Sequence, residues 1–327
     1  MVDNDGTMKI LCVWCKELTY GTSYEQIHYF STLEKLGHKM SVYPIQPTHQ
    51  SDIRLLETID YVKPDMVLFK LYRTEICSAT INYITSETNI TTVGIFGDDE
   101  KYFTRTKKML DKDYTVYTDE YATAFNYTVT MHKPSVEKHR ELGVHNVIYS
   151  PYGANSYMYR KKKMKRSIPV SFCGSYTKER QDICDAIMVS GAKIKVFGNG
   201  WKGEDLILEQ NEYVDLFNMT KINVNISVDV IDGKRVLQVK GRDFEVPMAG
   251  GFLLTHENPM LEEFYKVGKE IETYRTKSEL VSKIKYYLKH DKAREKIALA
   301  GYKRARKDHS YKKRFKNIIS QIGLKVC

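Results

Sequence analysis

At 327 residues the chain is long enough for two domains of ordinary size. With 42% hydrophobic and 28% charged residues it is neither disordered nor fibrous, and no apolar run approaches the ~20 residues of a membrane span. The net charge of +10 is uneven: residues 1–150 carry 16 Lys/Arg against 20 Asp/Glu, whereas residues 285–327 carry 14 basic residues against 3 acidic ones. That basic end reads either as a solvated face or as a surface for phosphates. The apolar stretch at 10–14 is too short for a signal peptide, and six cysteines are too few for a disulfide scaffold, so a reducing cytosol is expected.

In chain order, residues 9–14 read as a buried strand, 24–36 as a helix stopped by Gly37, 40–43 as a strand and 53–61 as a helix. Strands follow at 65–69, 91–96, 114–117 and 146–149, the last after a helix starting near Pro134. Strands interleaved with helices of this length imply βαβ units and a parallel sheet. Pro151-Tyr152-Gly153 and the run from Lys161 to Arg166 break the alternation and look like a connection between domains. It restarts with strands at 170–173, 193–197, 222–226 and 252–255 and a helix at 179–189. Thr276 and Glu279 have capping-box spacing ahead of a helix, and Tyr311, Phe315, Ile318, Ile319 and Ile322 make a last apolar stripe. The expected architecture is α/β: two Rossmann-like, doubly wound parallel-sheet domains facing a cleft. Their expected bounds are 8–155 and 156–310, with a terminal helix at 311–327 crossing back to the first domain.

Several stretches carry chemistry. Gly198-Asn199-Gly200-Trp201-Lys202-Gly203 has dinucleotide spacing, but it follows the second strand of its half, and Trp201 fills the place of a pyrophosphate; a loop lining a nucleotide pocket fits better. Gly174 and Ser175 close the strand at 170–173 ahead of a helix, as a phosphate-facing turn or an ordinary one. In the stretch from Lys240 to Gly251, a carboxylate at the helix start suits a ribose diol and the adjacent Arg242 suits a departing diphosphate, or the group is a surface salt bridge with a helix cap. Gly250 and Gly251 allow close packing on the next strand. Asp98 and Asp99 follow the strand ending at Phe96; carboxylates there can hold a sugar hydroxyl, act as a base or bind a metal, and a helix cap would occupy Asp99. Cys12 and Cys15 have redox spacing but read as a buried pair, and His256 is either cleft-facing or structural.

The segments Val170–Ser175, Val196–Trp201, Arg242–Glu245, Gly250–Thr255, Gly268–Ile271 and His309–Arg314, in this order, resemble the spore-maturation-protein (CgeB-like) branch of GT-B glycosyltransferases, related to the family-4 retaining enzymes. The resemblance covers about 165–320 well and 8–155 more loosely. It implies an enzyme moving a sugar from a nucleoside-diphosphate sugar to an acceptor hydroxyl, without a metal. Carried over, Glu245 binds the ribose, Gly174 and Ser175 meet the diphosphate, and Gly198, Asn199 and Gly200 border the base. Arg242 stabilises the leaving phosphate, with Gly250 and Gly251 in the same donor-binding stretch. Asp98, with Asp99 beside it, orients or deprotonates the acceptor. Family-4 relatives carry a further Glu eight residues before the ribose Glu; here that position is Leu237, which leaves donor sugar and stereochemical outcome open. The acceptor is either modified nucleic acid, such as a hydroxymethylated base of viral DNA made in a host cytoplasm, or a surface glycan. A protein of this fold that binds nucleotide sugars without catalysis is the other class.

Overall fold

The computed structural model describes residues 6–15, 24–45, 50–71, 75–97, 99, 106–109, 112–115, 119–202, 207–231 and 234–324. The chain divides into two compact units, Met1–Pro151 with Lys312–Cys327, and Tyr152–Tyr311.

In the first unit the elements are β1 (Lys9–Cys15), a π-helical turn (Gln26–Phe30) leading into α1 (Ser31–Lys35), β2 (Lys39–Ile45), α2 (Ser51–Val62), β3 (Met66–Lys70), α3 (Ser78–Glu87) and β4 (Thr91–Phe96). Then come β5 (Thr106–Met109), β6 (Lys112–Thr115), α4 (Asp119–Thr123), β7 (Tyr127–Thr130), α5 (Ser135–Glu141) and β8 (Val147–Tyr149). Six strands form one parallel sheet in the order β2-β1-β3-β4-β7-β8. Helices on both faces bury β3 throughout and β1 from Ile10 to Trp14, which is why these strands are nearly continuous apolar runs. The strand expected at 114–117 is instead β6, paired antiparallel with β5 outside this sheet. Its expected place is held by β7, whose Tyr-Thr-Val-Thr sequence has no apolar run. The buried Thr128 and Thr130 hydroxyls donate to Ala122 O (3.1 Å) and Asp99 Oδ2 (2.6 Å), so threonine serves there as a satisfied core residue.

In the second unit are β9 (Ile168–Cys173), α6 (Lys178–Val189), β10 (Ile194–Phe197), α7 (Gln210–Met219), β11 (Thr220–Asn225), a hairpin of β12 (Val228–Ile231) and β13 (Lys234–Leu237), and α8 (Arg242–Met248). After them come β14 (Leu253–His256), β15 (Glu272–Tyr274), α9 (Lys277–Lys289) and α10 (Asp291–Asp308). The parallel sheet runs β10-β9-β11-β14-β15. One core layer, with Phe217, Phe244 and Leu253, lies on the α8 face; the other, with Phe172, Val224 and Leu254, lies on the face covered by α6 and α9. Strand alternation therefore decides which face each side chain serves. The Thr276 hydroxyl caps α9 by accepting from Glu279 N (3.1 Å), while the Glu279 carboxylate reaches back to Arg275 N (2.8 Å), one residue beyond a regular capping box.

The lysine run at 161–166 is packed onto this second unit. Lys162 N donates to Asn218 Oδ1 (2.7 Å), and the Arg166 guanidinium donates to Thr220 O (2.9 Å) and Gly250 O (2.8 Å) while pairing with Glu295 (2.7 Å). The last helix, α11 (Tyr311–Gln321), packs on the first unit: Phe315 meets the Tyr29 ring edge-on at 5.6 Å, and Tyr127 Oη donates to Ile322 O (3.3 Å). Among the described residues no helix is long and apolar enough to cross a membrane.

Candidate functional site

The strand order of the second unit reverses between β9 and β11, because β10 lies to one side of β9 and β11 to the other. In an open parallel sheet such a reversal leaves a crevice outside the carboxyl ends of the two central strands. Around it stand the Gly174-Ser175 turn after β9, the residues 198–201 after β10, the Asn225-Ile226-Ser227 exit of β11, and the first turn of α8.

The two loops after β9 and β10 are stitched together. Gly174 N donates to Phe197 O (2.8 Å), Tyr176 N to Asn199 O (2.8 Å), and the Trp201 indole N–H to Gly174 O (2.8 Å). Gly198 sits at φ +133°, and a Cβ there would lie 2.3 Å from Gly174 O, so only glycine permits this approach. The dinucleotide-like spacing is thus used for loop-on-loop packing, with Trp201 as its clasp between Phe172 and Tyr176. Gly203 lies outside the described residues. Ser175, Asn199 and Gly200 are exposed.

Helix α8 begins with a cation and two carboxylates. Asp243 is completely buried. Its Oδ1 accepts from Asn225 Nδ2 (2.7 Å) and Thr255 Oγ1 (2.8 Å), and its Oδ2 from Lys240 N (2.9 Å) and Ser227 Oγ (3.2 Å). Burial pushes this carboxyl above its ordinary value, and the four hydrogen bonds pull it part of the way back. The network ties the start of α8 to the ends of β11 and β14. Sequence reasoning missed it, although a signal exists: Ile222-Asn223-Val224-Asn225-Ile226-Ser227 alternates apolar and polar in a strand buried on both faces. Its polar face must therefore find partners, and it faces α8.

Arg242 and Glu245, three residues apart on that turn, both act electrostatically on Cys173, Tyr159 and Tyr213. Glu245 is buried, at 7% exposure, and Arg242 is half-buried. Burial, the largest influence, lowers the Arg242 pKa, but Glu245 together with Cys173, Tyr213 and Tyr159 outweighs it and holds the guanidinium above its ordinary value. The Cys173 thiol beside them is pushed up to about 12 by burial, so it stays protonated. A cation and a carboxylate are thus presented side by side at the crevice on a rigid support.

Other candidates fall elsewhere. Gly250 and Gly251 lie before the amino end of β14, at the opposite end of the strands from the crevice. A Cβ on Gly251 would meet Asn223 Nδ2 at 2.8 Å and Val246 Cγ1 at 2.9 Å, so its small size serves helix-to-strand packing, while Gly250 sits at φ +78° against the Lys161 side chain. His256, one position beyond Thr255, points to the α6/α9 face, where it meets the Tyr274 ring edge-on at 5.4 Å and lines a hollow of about 400 Å³. In the first unit Asp99 is turned inward: its carboxylate is fully buried and accepts from Thr130 Oγ1 (2.6 Å), with His139 Nε2 at 3.1 Å. Asp98 lies outside the described residues. Burial raises the Cys12 thiol far above its ordinary value, the opposite of a redox-active cysteine, and the Cys15 side chain lies outside the description. Leu237 closes the β12–β13 hairpin opposite Val228. Among the described residues no three His, Cys, Asp or Glu side chains converge as a metal site.

Residues 178–320 match the family model described as glycosyl transferase-like. The match lies in the carboxyl half and spans less than half of the chain. Over the whole chain the fold is GT-B. HepE from Anabaena, solved in complex with UDP and glucose, superposes with a TM-score of 0.66 at 11% identity, covering 97% of this chain and 99% of that one. Sucrose-phosphate synthase from Thermosynechococcus elongatus gives 0.66 at 7% identity, covering 96% and 99%. A putative UDP-N-acetylglucosamine 2-epimerase from Listeria monocytogenes gives 0.58 at 12% identity, covering 97% and 96%. No curated protein sequence matches the chain. The fold is thus shared by a sucrose-phosphate synthase and a putative epimerase, and the chemistry has to be read from the site.

Proposed function

We propose that the chain is a glycosyltransferase, of the CgeB-like branch, that takes a sugar from a nucleoside-diphosphate donor to an acceptor hydroxyl. One observation carries this reading: Arg242 and Glu245 stand on a single helix turn that the Asp243 network fixes at the crevice between β9 and β11. Glu245 accepts hydrogen bonds from the ribose diol. The Gly174-Ser175 turn faces the diphosphate, and Gly198, Asn199 and Gly200 border the base. Arg242 offsets the charge that grows on the diphosphate as its bond to the anomeric carbon breaks. The acceptor oxygen then bonds to that carbon and gives up its proton, for which Asp98, following β4, is the proposed base. Asp99 is assigned a supporting role, holding the turn through Thr130 and His139. Gly250 and Gly251 are left out of the donor site. The complex of HepE with UDP-glucose supports a nucleotide sugar as donor.

The acceptor we favour is nucleic acid carrying a hydroxyl on a modified base, because the positive charge is concentrated in the same half of the chain as the donor site. A surface glycan is the second reading.

A thermal-shift panel of nucleotide sugars identifies the donor, since a ligand that binds only the folded state raises its apparent stability. With that donor, Glu245→Ala is expected to weaken nucleoside-diphosphate affinity roughly 10- to 100-fold, the loss of hydrogen bonds to a charged group. An unchanged dissociation constant removes Glu245 from the donor site. Slow donor hydrolysis without acceptor marks an enzyme, and binding without any hydrolysis marks a binding protein. Asp98→Asn should cut turnover and leave donor affinity intact; full turnover in that variant eliminates Asp98 as the base.

A further inference from the structure

Helix α10 presents a charge pattern that the donor site does not use. Its inward face, with Arg294, Ile297, Ala298, Gly301 and Ala305, is buried. On the opposite side Lys292, Lys296, Lys303 and Lys307 are all exposed, with Leu299 between them. At 3.6 residues per turn these five positions fall within an arc of about 80° and span about 22 Å along the axis.

The carboxylates of α10 do nothing to neutralise this row. Asp291 pairs with Arg294 (2.6 Å), Glu295 with Arg166 (2.7 Å) and Asp308 with Arg304 (3.3 Å). Arginines take all three acids of the helix, and none of the four lysines forms an ion pair with a described residue. Four like charges on one straight line repel one another, and an anionic partner of matching length relieves that repulsion.

We infer that the Lys292–Lys307 face of α10 docks the phosphate backbone of duplex nucleic acid, without regard to base sequence. Over about 22 Å one strand of B-form DNA offers roughly six phosphates, enough to meet each lysine. An anionic bilayer fits less well, because Leu299 is the single apolar side chain on the row and nothing else there would enter hydrocarbon. A single strand fits less well too, because the row carries no aromatic ring on which bases would stack. The inference does not depend on the donor assignment, and the thermal shift with nucleotide sugars reads that assignment separately.

The test is fluorescence anisotropy of a labelled 24-base-pair duplex of arbitrary sequence with the full chain, between roughly 50 and 200 mM NaCl. The variant K292Q/K296Q/K303Q/K307Q keeps helix propensity, since glutamine and lysine rank alike. Wild type should bind, and the variant should lose about 3–4 units from the slope of log K against log salt, at about 0.9 per phosphate contact. Its thermal shift with nucleotide sugar should be unchanged. The control variant K35Q/K193Q/K266Q/K269Q, with the same change in charge elsewhere on the surface, should keep most of the slope. No binding by wild type overturns the inference. So does an equal loss of slope in both variants, or binding to phosphatidylserine vesicles in place of the duplex.

Discussion

Replacing Arg242 by Gln is expected to lower kcat for donor turnover by about 10²- to 10³-fold and to change nucleotide affinity by no more than a few-fold. The asymmetry comes from when the charge develops. In the proposed donor complex the diphosphate already carries its resting charge, which the turn after β9 would share. As the glycosidic bond lengthens, a further negative charge gathers on the leaving oxygen, and a fixed cation beside it acts most strongly at that moment. Glu245, with Cys173, Tyr213 and Tyr159, offsets the burial that would otherwise oppose the guanidinium's charge. Steady-state hydrolysis with the donor found in the thermal-shift panel supplies kcat and KM separately. A variant that loses affinity and retains kcat would make Arg242 a ground-state contact and not a stabiliser of the departing phosphate.

Asp243→Ala is expected to cost about 2–4 kcal/mol of folding stability, because Lys240 N–H and the Asn225 amide are left without their acceptor in a place water does not reach. Asp243→Asn should cost about half of that, since it keeps one carbonyl oxygen and places an NH₂ against one of the former donors. Urea unfolding resolves the two. Because the network fixes the turn that carries Arg242 and Glu245, the alanine variant should also bind the nucleotide more weakly. Equal stability of wild type, Asn and Ala forms would show that the start of α8 is held by something other than this carboxylate.

The parallel-sheet architecture was legible in the sequence because its central strands are buried on both faces and so appear as unbroken apolar runs, as in β1, β3 and β4. The elements that escaped were those whose polar groups are satisfied internally. In β7, Thr128 and Thr130 hide as core residues behind their own hydrogen bonds. In β15, Glu272 is buried beneath Tyr287 Oη at 2.6 Å and Lys283 Nζ at 3.2 Å, so a carboxylate sits where an apolar residue is expected. The same blindness hid Asp243, flanked by the more conspicuous Arg242 and Glu245. Glycines misled in another way: Gly198 and Gly251 mark close approaches of chain to chain, and spacing alone does not distinguish those from close approaches of chain to ligand. For His256 the sheet period was decisive. One residue from Thr255, it serves the opposite face.

Hydrogen–deuterium exchange of the full chain with and without the nucleoside diphosphate selected by thermal shift locates the donor without assuming any residue's role. Slowed exchange is expected in 173–176, 198–201 and 241–246, with 249–252, at the opposite end of the same strands, unaffected. Protection confined to 249–252, or to segments outside the second unit, would contradict a donor seated on the first turn of α8.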